Sequence, residues 1–225
     1  MLLVGASRGI GLAMAEELLG RGWDVVGTVR GDGTRLHELA GSYPEQLAIE
    51  LADVTRAEQL AALRERLARR RFDALFVNAG TANPRPDDTM ADIDTEEFVR
   101  VMVTNALGPM RCLEILSDLV RPAGLVGVMS SGQGSVANNQ QGGRELYRAS
   151  KAALNMLMRS YAARQRGSGR SLLVLAPGWI RTELGGPDAT FTLEQTIPDI
   201  VDCLLAKRER PGLEYLDRNG KVVPW

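Results

Sequence analysis

Tyr147 and Lys151 stand four residues apart in "YRASK", inside the segment "RELYRASKAALNMLMRSYAAR", whose apolar spacing is helical. Residues i and i+4 of a helix share a face. At about 4 Å and an effective dielectric of about 20, an ammonium attracts a phenolate by roughly 4 kcal/mol. That would lower a phenol pKa by as much as about 3 units from its usual value near 10, with desolvation offsetting part of the shift. A tyrosine tuned in this way can donate or accept a proton near neutral pH. Taken alone, the pair also reads as a packed tyrosine with a lysine beside it, because the pattern is short and frequent by chance.

A second constellation is "GASRGIG", residues 5–11, which follows an apolar run and opens a helical pattern. A tight turn requires glycine at Gly5. Close approach of a pyrophosphate requires that side chains be missing at Gly9 and Gly11, and the helix N-terminus offers free N–H groups and positive dipole. The spacing is G-x-x-x-G-x-G. The next strand ends in "GTVR", with Arg30 where an acidic residue would bind ribose hydroxyls. Arg30 can pair with a 2′-phosphate through its planar fork, and Arg8 can approach the same group. These cations favour NADP(H) over NAD(H); the nearby Asp32 argues the other way, and Arg30 also reads as a solvated loop residue.

The elements that must position these groups alternate along the chain. Strands are expected near 2–4, 24–29, 46–50, 73–77, 125–129, 171–176 and 213–216, and helices near 9–20, 34–41, 56–70, 94–119, 144–165 and 193–206. The alternation predicts βαβ units, right-handed crossovers and a parallel sheet. The fold class is therefore α/β: a doubly wound, Rossmann-type parallel sheet in a three-layer α/β/α sandwich. Near-continuous apolar strands such as "FDALFV" fit a sheet covered on both faces. No linker or repeat interrupts the chain, so residues 1–225 read as one domain. Strand C-terminal ends carry the ligand groups of such sheets. Here they end in "ELADVT" (Asp53, Val54), "FVNAG" (Asn78, Ala79, Gly80) and "VMSSGQGS" (Ser130, Ser131).

Composition excludes several classes. The chain is 44% hydrophobic and 24% charged with a formal charge of −1, which suits a globular core and gives no field for nucleic acid or a membrane surface. No apolar run approaches the roughly 18 residues of a membrane span, and the start lacks the basic and long apolar regions of a signal peptide. Cys112 and Cys203 lie far apart in apolar helical patterns and read as reduced core thiols of a cytoplasmic protein. His37, the only histidine, has no ligand-spaced partners and reads as a helix surface residue, so no metal site is expected.

Taken together and in order, "GASRGIG", "DVT", "NAG", Asn105 in "TNALGP", "SS", "YRASK" and "PGWIRT" resemble the short-chain dehydrogenase/reductase family over nearly the whole chain. The terminal "DRNGKVVPW" and "PGWIRTELGGPDA" look most like its C-factor and sniffer-like carbonyl reductase subgroup. The resemblance implies Tyr147 as catalytic acid/base, with Lys151 lowering its pKa and holding the nicotinamide ribose. It implies Ser131 as the carbonyl-binding serine, with Ser130 the alternative, and Asn105 as organiser of a water. It implies cofactor contacts at Gly5, Ser7, Arg8, Gly9, Ile10 and Gly11, at Asp53 and Val54, at Asn78, Ala79 and Gly80, and at Pro177, Gly178, Ile180 and Thr182. Pro109 adds a physical hint: it has no N–H, so the Asn105 carbonyl loses its helical partner and can accept from water.

The chain departs from the family's pattern at Val4, where threonine is usual, which removes a hydrogen bond from the glycine turn. The loop between Ser131 and Tyr147 is longer than usual; it reads as a pocket wall or as a displacement of Ser131. A short segment after Pro177 implies an open pocket, with Trp179, Met129 and Phe191 as wall or core residues. Thr192 and Gln195 form a capping-box pattern, but Pro198 suggests a later helix start. The expected activity is NADP(H)-dependent reduction of a ketone or aldehyde; the rival is an NADPH-binding regulator with little turnover. Apolar stretches in 94–119 and 144–165 imply a homodimer or tetramer, or only packing on the sheet.

Overall fold

The structure is a computed structural model that describes residues 1–225. Seven strands, β1 (Leu2–Val4), β2 (Val25–Val29), β3 (Leu47–Leu51), β4 (Phe72–Val77), β5 (Val120–Met129), β6 (Ser171–Ala176) and β7 (Gly212–Asp217), form one sheet in the order β3-β2-β1-β4-β5-β6-β7. All six pairings are parallel. The helices are α1 (Gly9–Gly20), α2 (Arg35–Ser42), α3 (Ala57–Arg66), α4 (Thr95–Met102), α5 (Gly108–Leu116), α6 (Glu145–Arg164) and α7 (Leu193–Lys207). This is the three-layer, doubly wound arrangement that the alternation of elements predicts.

Two hydrophobic cores cover the two faces of the sheet. One joins Leu60, Leu63, Leu113, Leu154 and Met158 of α3, α5 and α6 to Leu75, Val77 and Val126. The other joins Met14, Leu18, Leu36, Ile200 and Leu204 of α1, α2 and α7 to Leu3, Phe76 and Leu173. Successive strand residues point to opposite faces, so Leu75 and Phe76 enter different cores. Burial on both sides explains why these strands are apolar throughout. Cys112 and Cys203 are both buried thiols within these cores.

Local departures from the expected elements have identifiable causes. The single helix expected over 94–119 is instead α4, a π-turn at Val103–Leu107, α5 and a short 3-10 turn. Pro109 cannot donate to Asn105, and the ladder widens there, with the Gly108 N–H reaching back to the Val103 carbonyl. Gly108 must be glycine, since a Cβ would lie 2.9 Å from the Val54 carbonyl oxygen. Strand β5 begins at Val120, five residues early, through an irregular pairing with β4 between Phe72 and Ala74. Helix α3 stops at Arg66, short of the expected end.

Pro198 does not delay α7. The helix starts at Leu193, because Thr192 and Gln195 complete the capping box at its entry. The Gln195 N–H donates to the Thr192 hydroxyl at 3.3 Å, and the Gln195 side chain accepts from the Thr192 N–H at 2.9 Å. The N–H missing at Pro198 orphans only the carbonyl of exposed Glu194 in the first turn. His37 is more than a surface residue: its Nδ1 accepts from the Thr34 N–H at 3.2 Å and caps α2.

Candidate active site

Because every strand runs the same way, the C-terminal ends of β1 to β7 meet along one edge. The strand order reverses between β1 and β4, where a doubly wound sheet opens its ligand crevice. The glycine loop lies there. Gly5 and Gly9 adopt left-handed φ values of 88° and 55°. A Cβ on Gly11 would fall 2.0 Å from the Gly5 carbonyl oxygen, so only glycine permits this fold-back. The Asn78 amide donates to that same carbonyl at 2.9 Å, stitching the tip of β4 to the loop. The support missing at Val4 is replaced from the neighbouring strand, where the Thr28 hydroxyl accepts from the Gly5 N–H at 3.0 Å.

The first turn of α1 has no acidic residue and its N-cap, Arg8, makes no side-chain cap, which leaves its amides available to an anion. Gly9 faces Thr182 with 3.6 Å between the position of a Cβ and the Thr182 methyl. Arg8 pairs with Glu183 at 2.8 Å, both exposed. Arg30 lies exposed just past β2 and makes no ion pair, while Asp32 is 4.0 Å from His37. Burial pushes the Asp53 carboxyl up, but the Thr55 amide and hydroxyl, with the Arg30 and Arg56 charges, hold it below the ordinary carboxylate range. Val54 is buried under Gly108.

Beside this loop, α6 presents Tyr147, Lys151 and Asn155 one turn apart on a single face. Lys151 is 3% exposed and donates to the Met129 carbonyl at the tip of β5, at 3.0 Å. Asn155 accepts from the Ser130 hydroxyl at 2.7 Å and donates to the Gly134 carbonyl at 3.0 Å. Ser130 is thus committed to the interior. Ser131 accepts from the Gln133 N–H at 3.1 Å, which leaves its hydroxyl proton to point at the Tyr147 hydroxyl beside it. Asn105, on the π-turn, joins the tip of β4 to α6. It accepts from the Thr81 N–H at 2.8 Å and donates to the Thr81 carbonyl and the Ser150 hydroxyl at 2.8 and 2.9 Å.

Here the electrostatics differ from the expectation of a lowered phenol pKa. Burial raises the Tyr147 phenol above its ordinary value; the Ser131 hydroxyl and the Arg144 charge oppose it and do not overcome it. Lys151, whose Nζ lies 5.8 Å from the Tyr147 ring centroid, is not among the groups that set this balance. Burial brings the Lys151 ammonium down to about 8.

The segment after β6 closes the other side. Gly178 has φ 93°, and Ile180 bridges Phe191. Thr182 caps a turn by accepting from the Gly185 N–H at 3.0 Å. Trp179 is 43% exposed, with its indole N–H donating to the Gly185 carbonyl at 2.8 Å. Phe191 is covered by the Arg218 guanidinium, 4.0 Å from its centroid. Met129 belongs to the core, and only its backbone carbonyl serves the site. The grooves lined by Arg121 and Arg170 and by Arg159 and Trp225 contain none of these residues.

Several supporting residues escaped the sequence reading. Asn155 repeats the i+4 step from Lys151, a signal that was present. Thr81 directly follows Gly80, and Thr28 directly precedes Val29. Tyr215, whose hydroxyl donates to the Ser131 carbonyl from β7, carried no local signal at all.

A family model described as enoyl-(acyl carrier protein) reductase, of the short-chain dehydrogenase type, matches residues 5–197. The chain belongs to the short-chain dehydrogenase/reductase family. Among solved structures, a short-chain dehydrogenase/reductase from Burkholderia multivorans with bound NADP is 58% identical, with a TM-score of 0.98 over 100% of this chain and 98% of that one. A carbonyl reductase from Pseudomonas aeruginosa in complex with NADP is 37% identical, with a TM-score of 0.92 over 100% and 98% of the two chains. The C-signal protein of Myxococcus xanthus is 34% identical over 68% of this chain and 92% of its own. No helix of this family member is long and apolar enough to cross a membrane.

Proposed function

We propose that the protein is an NADPH-dependent reductase of ketones or aldehydes. The observation that carries this reading is the convergence of Tyr147, Ser131 and Lys151 beside the glycine loop at one sheet edge. The residues fit a dinucleotide: the uncapped α1 amides and the absence of a side chain at Gly9 suit a pyrophosphate, and the unpaired Arg30 suits a 2′-phosphate. NADP bound in the Burkholderia and Pseudomonas relatives supports the same choice. Asp53 and Val54 would flank the adenine, and Asn78, Ala79, Gly80, Pro177, Gly178, Ile180 and Thr182 would line the nicotinamide end. The remaining loop residues Gly5, Ser7, Arg8 and Ile10 would contact the phosphates.

Bound NADPH supplies the hydride. Ser131 and Tyr147 would hold the substrate carbonyl oxygen, and Tyr147 would donate the proton. A phenol kept neutral by burial suits the donor role. Lys151, with an ammonium brought down to about 8, would return a proton to Tyr147. Asn105 would hold the π-turn and the tip of β4 in register with α6, leaving its backbone carbonyl to a water.

The test is NADPH and NADH titration, with turnover measured on ketones and aldehydes. Tyr147→Phe should bind NADPH and lose turnover. Arg30→Glu should weaken NADPH far more than NADH; equal losses would overturn the cofactor choice. Similarity to C-signal favours a second reading, an NADPH-binding regulator. Binding without turnover on any carbonyl would favour that reading.

A further inference from the structure

Arg144 is the one non-glycine residue in the left-handed region, at φ 51° and ψ 42°. It follows Gly142 and Gly143, at φ 67° and 68°, and immediately precedes α6. A long side chain at this position is costly when glycine would serve. Its guanidinium lies 5.6 Å from the centroid of the Trp179 ring. Trp179 is itself fixed by its bond to Gly185. The two residues therefore meet beside the crevice, one from the turn that enters α6 and one from the segment after β6.

The Arg144 guanidinium makes no hydrogen bond and no ion pair, although it is half-buried. The acidic residue next to it in the chain, Glu145, is engaged elsewhere: its carboxylate accepts from the Met90 N–H at 3.1 Å. The Arg148 guanidinium donates to the Gly143 carbonyl at 2.8 Å. The Arg144 charge is close enough to act on the Tyr147 hydroxyl. A cation without a carboxylate partner thus stands over Trp179 and beside Tyr147, at the reacting end of the crevice.

We infer that Arg144 is a specificity residue that recruits carbonyl substrates bearing a carboxylate, with Trp179 stacking on the part of the substrate between carboxylate and carbonyl. The inference rests on the reductase reading above. Its planar fork can hold a carboxylate through two parallel hydrogen bonds, and the aromatic face beside it accepts a flat or apolar spacer. A neutral carbonyl compound gains nothing from that charge.

The test uses a matched pair, 4-carboxybenzaldehyde and methyl 4-formylbenzoate, with NADPH. The wild type should prefer the acid in kcat/KM by about 10- to 100-fold, the range of a charge-assisted bond. In Arg144→Gln and Arg144→Gly the acid-to-ester ratio should fall toward one, with the change in KM for the acid rather than in kcat. Arg144→Lys should restore part of the ratio. Arg144→Gly relieves the left-handed strain, so loss of discrimination in a variant at least as heat-stable as wild type excludes misfolding. Equal use of both compounds by the wild type, or equal losses for both in the variants, would overturn the inference and leave the reductase reading standing. If the wild type turns over neither these nor any other ketone or aldehyde, the reductase reading fails. Calorimetric titration of benzoate into the NADPH complex then decides the anion site: binding lost in Arg144→Gly supports it, and no binding ends it.

Discussion

Replacing Lys151 with methionine is expected to stabilise the ligand-free protein while abolishing turnover. The ammonium is 3% exposed and has no carboxylate partner; its one hydrogen bond goes to the Met129 carbonyl. Burial lowers its pKa from 10.5 to about 8. At pH 7 the folded protein therefore carries a charge whose desolvation costs about 3 kcal/mol relative to the unfolded chain, at about 1.4 kcal/mol per unit. Methionine removes that cost and forfeits one hydrogen bond worth about 1 kcal/mol. The net gain is about 2 kcal/mol, or an increase in Tm of about 4–8 °C for a chain of this size.

The pH dependence isolates the cause. A cation with a depressed folded pKa destabilises fully below that pKa. The unfolded chain binds more protons between about pH 8 and 10.5, so wild-type stability rises with pH through that window, by this group's contribution. The variant has no such group, and its advantage should shrink by about 2 kcal/mol between pH 7 and 9.5. Thermal or urea unfolding of both proteins at the two pH values reads this directly. A variant less stable than wild type at pH 7, with a gap that does not change with pH, would refute the reasoning.

Two further perturbations probe the scaffold. Gly11→Ala places a methyl 2.0 Å from the Gly5 carbonyl oxygen and 2.6 Å from the Asn78 amide nitrogen. It should lower stability by about 1–3 kcal/mol and weaken NADPH binding at least tenfold; an unchanged Tm and dissociation constant would contradict the packing described. Tyr215→Phe removes the hydroxyl that donates to the Ser131 carbonyl; burial raises that phenol to about 12, so it stays a donor across the working pH range. Loss of about 1 kcal/mol of positioning should lower kcat about fivefold with KM little changed. A stability loss without a kcat change would make Tyr215 a packing residue only.

The architecture was legible because its determinants are local. Apolar runs between helical patterns specify strands covered on both faces, and their alternation with helices specifies a parallel sheet; the order of the strands within it came only with the structure. The i, i+4 spacing of Tyr147 and Lys151 needs only the helix to bring them to one face. The capping box at Thr192 likewise outweighed Pro198, a competition between two local signals that the sequence reading weighed the wrong way.

What the sequence determined by itself is therefore the order of elements along the chain, the glycines that the turn after β1 requires and the stripe along α6. Only the tertiary structure decided the rest. Thr28 replaces the hydrogen bond missing at Val4, and Tyr215 reaches Ser131 across 84 positions of sequence. Neither contact has a period that a sequence could display. The protonation balance belongs to the same class: spacing suggests that Lys151 lowers the Tyr147 pKa, but burial of both groups reverses the outcome. Desolvation depends on everything packed around a group, and that is assembled only when distant strands and helices meet.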